Sequence, residues 1–249
     1  MSPGHIIAMT LAILVGMSLG TLGSGGSIIT IPVLVYVAHV PADAAVGMSL
    51  VIVGATSLLG AVLHLRRGNV ALKPSLLFSL TGMAGSYIGS SGTHLLSKRS
   101  LLLLFSGIMF IVGLKMWRGT APVVQSTACS VYRCLAAGFA VGLLTGFLGI
   151  GGGFLIVPAL VLFAGLDSRT AAGTSLAVIA LNSTTGVFGQ LRFVSIDWSL
   201  LAGFLAFAVA GMVAGSSLSS RLTENRLRRV FAGTVLFLAV AVGFGNLLL

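Results

Sequence analysis

The chain has 249 residues, of which 57% are hydrophobic and 7% charged, with a formal net charge of +10. A soluble domain carries about 25% charged residues, and a mean hydropathy of +1.12 excludes one here. A basic balance points to nucleic acid only in a soluble protein. In a chain built of apolar runs it reads as a cytoplasmic-loop bias and as an attraction for anions, so no nucleic acid is expected.

The apolar runs fall at about 4–22, 27–38, 45–65, 73–93 and 100–117, then at 131–148, 153–165, 171–191, 198–219 and 227–246. Runs near 20 residues can cross a ~30 Å hydrocarbon core as helices. The short polar loops leave no room for a separate soluble domain. The expectation is an all-α polytopic membrane protein. Its first repeat is 1–118, its connecting loop 119–130 and its second repeat 131–249, together one transmembrane domain. The start, Met1-Ser2-Pro3-Gly4-His5, has no basic stretch, so the first run reads as a retained span and not a cleaved signal. The second run of each half is short, and the sequence leaves open whether it spans or returns as a half-helix. Cys129 and Cys134 fit neither a zinc site nor a disulfide framework and read as inert thiols.

A shift of 126 residues aligns the halves without a gap from about Gly20 to Gly113. Gly23-Ser24-Gly25-Gly26-Ser27, ending at Pro32, meets Gly149-Ile150-Gly151-Gly152-Gly153, ending at Pro158. Gly47-Met48-Ser49-Leu50 meets Gly173-Thr174-Ser175-Leu176. Matches of Gly, Pro and Ser carry the argument, because any two spans share Leu. Each half thus holds a helix pair broken at glycine. Gly85-x-x-x-Gly89 and its counterpart Gly211-x-x-x-Gly215 read as close helix packing.

Loop charge sets the relation between the halves. If each half crosses an odd number of times, the second is inverted. One side then receives Arg66, Arg67, Lys73, Lys115, Arg118, Arg133, Arg169, Arg221, Arg226, Arg228 and Arg229, and the other Lys98, Arg99 and Arg192. That is eleven against three, as cytoplasmic loops require, whereas parallel halves divide them seven against seven. An inverted repeat with the basic side cytoplasmic and both termini outside follows. Such repeats are a transporter architecture, with the site near the midplane between the halves.

Two features mark that site. In the third run, Ser49, Thr56, Ser57, Gly60 and His64 share one helical stripe, matched by Ser175, Asn182, Ser183, Gly186 and Gln190. Ser and Asn also glue membrane helices together, but Asn182 is costly to bury idle. His64 is the titratable candidate for proton coupling. The second feature is the pair of glycine clusters. In the first, Gly23, Ser24, Gly25, Gly26 and Ser27 are the candidates; in the second, Gly149, Gly151, Gly152 and Gly153. Glycine allows close approach, and each cluster precedes a helix whose N-terminal N–H groups favour negative charge. The four acids, Asp43, Asp167, Asp197 and Glu224, all fall at loops or helix ends. A cation carrier would need one within a span, so the substrate is a small anion or neutral solute. Neither cofactor nor metal is implied.

The paired glycine-to-proline stretches and Gly173-Thr174-Ser175-Leu176 resemble the sulfite exporter TauE/SafE family, also called the toluene sulfonate uptake permeases. The resemblance covers nearly the whole chain, although Ser24 and Ser27 stand where the second copy has Ile150 and Gly153. It implies a carrier in a bacterial or archaeal inner membrane. Sulfur-containing or organic anions such as sulfite, sulfonates or sulfoacetate would be its cargo. The expected function is therefore secondary anion transport and not enzymatic. The alternatives are a passive anion channel, a non-transporting scaffold, or an intramembrane hydrolase, the last lacking any serine motif with a supported base. Direction, coupling ion and oligomeric state are left open, a homo-oligomer included.

Overall fold

The computed structural model describes residues 3–23, 26–91, 98–118, 131–148, 153–190 and 197–248. Among them every regular element is helical: α1 (Pro3–Leu22), α2 (Gly26–Pro32), α3 (Ala42–Arg66), α4 (Leu72–Ser91) and α5 (Lys98–Trp117), then α6 (Val131–Leu148), α7 (Gly153–Phe163), α8 (Ser168–Gln190), α9 (Trp198–Arg221) and α10 (Glu224–Leu248). In lipid only structures that pair their own backbone groups can span, and a helix does so within one segment. Exposed Tyr36, Tyr87, Trp117, Tyr132 and Trp198 all lie near helix ends, where amphipathic rings meet the headgroups.

Proline shapes the short second helix. Pro32 has no N–H to donate and its ring crowds the preceding turn. The helix continues past it as a π-helical stretch, Val33–Val37, closed by the Ala38 N–H on the Val33 carbonyl at 3.1 Å. At 1.5 Å per residue neither this unit nor the 11-residue α7 crosses a ~30 Å core. Both end alike. The Val40 N–H reaches the Leu34 carbonyl at 3.0 Å, and the Leu166 N–H reaches that of Leu160 at 3.2 Å. Each bond spans a left-handed residue, His39 at φ 55 and Gly165 at φ 67. These positions are equivalent under the 126-residue shift, and glycine is the residue such a cap favours. His39 is exposed, so His39→Gly should relieve the strain without loss of packing. We expect a gain of ~1 kcal/mol, read as a higher unfolding temperature in detergent; an unchanged or lower one would contradict the cap.

Packing pairs helices across the two halves. α1 lies along α9 in the same direction, with Met9 on Gly203, Ile13 on Gly211 and Met17 on Gly215. α4 lies along α6 likewise, with Phe78 on Gly138 and Gly82 on Gly142. The contacts repeat residue for residue. A methyl group on Gly85 would overlap the Phe139 carbonyl oxygen, and one on Gly211 would overlap that of Ile13. Gly16 faces the Ala208 carbonyl as Gly142 faces that of Gly82. The shift of 126 exchanges the members of each pair.

The other cross-half pairs run oppositely. In α3 and α8, Gly54 meets Ser183, Gly60 meets Leu176 and His64 meets Gly173. In α5 and α10, Ser106 meets Gly243, Gly113 meets Leu236 and Trp117 meets Gly233. Two apolar clusters fill the interior. One gathers Leu155–Val161 of α7 with Phe78, Met109 and Phe231. The other gathers Leu34 with Leu19, Met48, Phe204 and Met212.

One expectation is corrected. Cys134 is buried at the start of α6 and disulfide-bonded, not an inert thiol. Cys129 lies outside the described residues.

Candidate functional site

The antiparallel pair α3 and α8 forms the centre, and the Gly-Thr-Ser-Leu stretch of α8 holds three other segments to it. Gly173 is bare because the chain leaving α3 presses on it: an added Cβ would overlap the Asn69 carbonyl and stand 2.8 Å from His64 Cβ. Thr174 is fully buried, and its Oγ1 accepts the Ala71 N–H at 3.0 Å, satisfying a backbone donor just before α4. Ser175 Oγ lies 2.9 Å from the Gly23 carbonyl and 2.7 Å from that of Ala172, so its one proton is shared between them. Leu176 is fully buried against Gly60.

Ser175 thereby clasps the glycine turn of the first half. α1 stops at Leu22, and Gly23 turns the chain at φ 77, its N–H on the Leu19 carbonyl at 2.8 Å. A Cβ on Gly23 would stand 2.6 Å from Ala172 Cα and 2.8 Å from Ser175 Oγ. Gly26, the first residue of α2, faces the other way. Its Cβ would stand 2.5 Å from both the Val15 carbonyl oxygen and Leu19 Cγ, so its bare face packs on α1. Ser24, Gly25, Gly149, Gly151 and Gly152 lie outside the described residues, as does the side chain of Ser27. Gly153 opens α7 and is buried.

The stripe hydroxyls divide by partner. Ser49 donates to its own helix, at the Val46 carbonyl, 2.8 Å away. Thr56 does the same to Ile52 at 2.6 Å. Ser57 is fully buried, and its Oγ has no partner among the described residues. Ser183, on the facing helix, is buried against Gly54, its Cβ 2.9 Å from where a Gly54 Cβ would stand. Asn182 is half-buried one position before it. The central crossing thus brings Ser57, Ser183 and Asn182 to one level, with Ser49 and Ser175 towards opposite ends.

At the Arg66 end of α3 stand His64, the candidate for proton coupling, and two arginines that the sequence reading did not assign to the site. His64 is 2% exposed, and neither ring nitrogen has a partner among the described residues. Arg67 Nη1 donates to the carbonyl and the Oγ of Ser216, both at 3.0 Å. Arg169 Nη2 donates to the Leu222 carbonyl at 2.8 Å. A sequence signal for both arginines existed. Under the 126-residue shift they meet Phe193 and Asp43, so they are places where the repeat breaks.

Among the described residues, stretches long and apolar enough to cross a membrane include Ala44–Arg66 and Trp198–Arg221. No group of three or more His, Cys, Asp or Glu among them could hold a metal ion. Residues 8–242 match the family described as "Sulfite exporter TauE/SafE". A "Probable membrane transporter protein" of Xylella fastidiosa is 35% identical over 237 residues, covering 92% of this chain and 91% of that one. The "Probable membrane transporter protein YdhB" of Bacillus subtilis is 31% identical over 242 residues, covering 95% and 96%. A further "Probable membrane transporter protein" from the archaeon Methanocaldococcus jannaschii is 25% identical over 245 residues, covering 90% and 91%. No solved structure matches. This chain is a membrane protein and belongs to the sulfite exporter TauE/SafE family of membrane transporters.

Proposed function

We propose that the chain is a secondary transporter of a sulfur-containing or organic anion, of the sulfite or sulfonate class, in the cytoplasmic membrane, with its halves inverted. One observation carries this reading. α3 and α8 hold the same place in the two halves, yet they pack antiparallel about a point near Thr56 and Asn182. Equivalent helices that point opposite ways are what an inverted repeat produces, and such folds bind substrate at the midplane between halves. An anion suits that level, since each of the four acids lies in a loop or the first turn of a helix.

In this reading the anion passes between α3 and α8 with Ser57, Ser183 and Asn182 as its central hydrogen-bonding groups. The two glycine clusters are the proposed source of further backbone N–H donors. Ser49 and Ser175 contribute less in this conformation, because their hydroxyl protons are committed to carbonyls. Purified protein in proteoliposomes should drive uptake of sulfite or a small sulfonate down its gradient. Losing one hydrogen bond to a charged group costs about 1.5–3 kcal/mol, or one to two decades in affinity. Ser57→Ala should therefore raise KM at least tenfold at wild-type abundance, and Ser49→Ala should leave it within about twofold. Absence of substrate-dependent flux from wild-type vesicles would remove the transport reading; equal effects of the two variants would move the site.

A further inference from the structure

We propose that His64, Arg67 and Arg169 form an anion-loading station at the cytoplasmic end of the α3–α8 crossing, serving one face of the membrane only. The inference rests on the transport reading above. His64 closes α3, and its Cβ is pinned against Gly173 of α8. Its ring is almost wholly buried, with both nitrogens unpartnered among the described residues. A buried polar group in that condition is costly, and a ligand that the ring hydrogen-bonds is one remedy. Arg67 follows His64 by three residues, its N–H on the His64 carbonyl at 3.1 Å, and Arg169 lies one turn before Gly173 on α8, the residue that His64 Cβ abuts.

Both guanidinium groups are anchored yet retain donors. Each carries five N–H groups. Arg67 is held by Ser216 through Nη1, and Arg169 by Leu222 through Nη2. Arg169 Nε is buried with no partner among the described residues. Ser219 Oγ, one turn beyond Ser216 on α9, is in the same state. The nearby carboxylates are engaged elsewhere. Glu224 Oε1 accepts the Ser168 N–H at 2.6 Å, and Asp167 Oδ2 accepts the Thr170 N–H at 3.1 Å. A planar, anchored guanidinium matches an oxyanion such as sulfite or a sulfonate group.

The repeat explains why only one face has such a station. The 126-residue shift turns His64 into Gln190, Arg67 into Phe193 and Arg169 into Asp43. An inverted fold with identical halves would offer the anion the same welcome from both sides. In the sequence, two arginines and a histidine stand where the shift finds an amide, an apolar ring and a carboxylate. The cytoplasmic mouth should therefore capture anions at lower concentration.

The test measures initial rates of labelled sulfite uptake in right-side-out and everted membrane vesicles, over a range of salt. Wild type should show a KM several-fold lower from the cytoplasmic face, rising with salt as screening weakens attraction. Arg67→Gln and Arg169→Gln should each raise that KM about tenfold, the loss of one charge-assisted hydrogen bond. The KM from the opposite face should not move. If Arg169→Gln fails to reach the membrane, the exposed Arg67 and the wild-type salt dependence carry the test. Equal KM values at both faces, or equal shifts at both, would overturn the loading station and leave transport intact. No flux in either vesicle type would overturn the transport reading itself.

Discussion

Gly85→Ala and Gly211→Ala should each remove most of the folded protein from the membrane, whereas Gly107→Ala should leave it unchanged or raise it. The first two are equivalent positions in the two halves. At each, a methyl group would overlap a carbonyl oxygen of the neighbouring parallel helix, Phe139 in one case and Ile13 in the other. A carbonyl in a helix cannot turn aside, so the helices must move apart. Membrane helices associate through close packing and not through the hydrophobic effect, which makes separation expensive. Overpacking of this kind costs about 1–3 kcal/mol, a large part of the 5–15 kcal/mol that usually holds a protein folded. Gly107 sits in α5 with open space around it, and Ala is favoured over Gly in a helix by roughly 1 kcal/mol. Yield and monodispersity after detergent extraction, measured for all three, decide the matter. A Gly211→Ala protein as abundant as wild type would mean that the α1–α9 contact tolerates a wider spacing.

The second large effect belongs to Gly23. Gly23→Ala meets two obstacles at once, a left-handed φ of 77 and a Cβ pressed 2.6 Å from Ala172. The first costs about 1–2 kcal/mol and the second about 1–3 kcal/mol. Gly68 separates them, because it has a similar φ of 72 but nothing near its missing Cβ. Gly68→Ala should lower the unfolding temperature slightly and keep transport. Gly23→Ala should lower it much further and abolish uptake, because the turn can no longer dock on α8. If the two variants behave alike, the contact between the turn and Ser175 contributes nothing beyond backbone conformation.

Gly26 shows where sequence reasoning had to stop. In the sequence it is one more member of a glycine cluster, equal to its neighbours as a backbone donor. In the fold its bare face lies on α1, so Gly26→Ala tests helix packing before it tests binding. The stripe on α3 gave a similar lesson. Its period placed Ser49, Thr56 and Ser57 together, but periodicity cannot say which hydroxyl turns back to its own helix. Two of the three do, and Ser57 has no partner among the described residues. Arg67 and Ser216 are 149 positions apart, and no local pattern links them.

By itself the sequence determined the helical membrane class, the order of the segments and the repeat. Each follows from short-range physics: apolar composition, the need to satisfy every backbone group in lipid, and the rarity of chance matches among Gly, Pro and Ser. Only the tertiary structure decided that α1 lies along α9 and α4 along α6, and that Ser57 and His64 have no partner among the described residues. In water an amphipathic helix announces the face it will bury. These helices are apolar on nearly every side, because lipid is as apolar as the interior. Partner choice therefore passes to steric fit, to whether a glycine on one helix meets a carbonyl on another, and that is a relation between distant segments that neither contains alone.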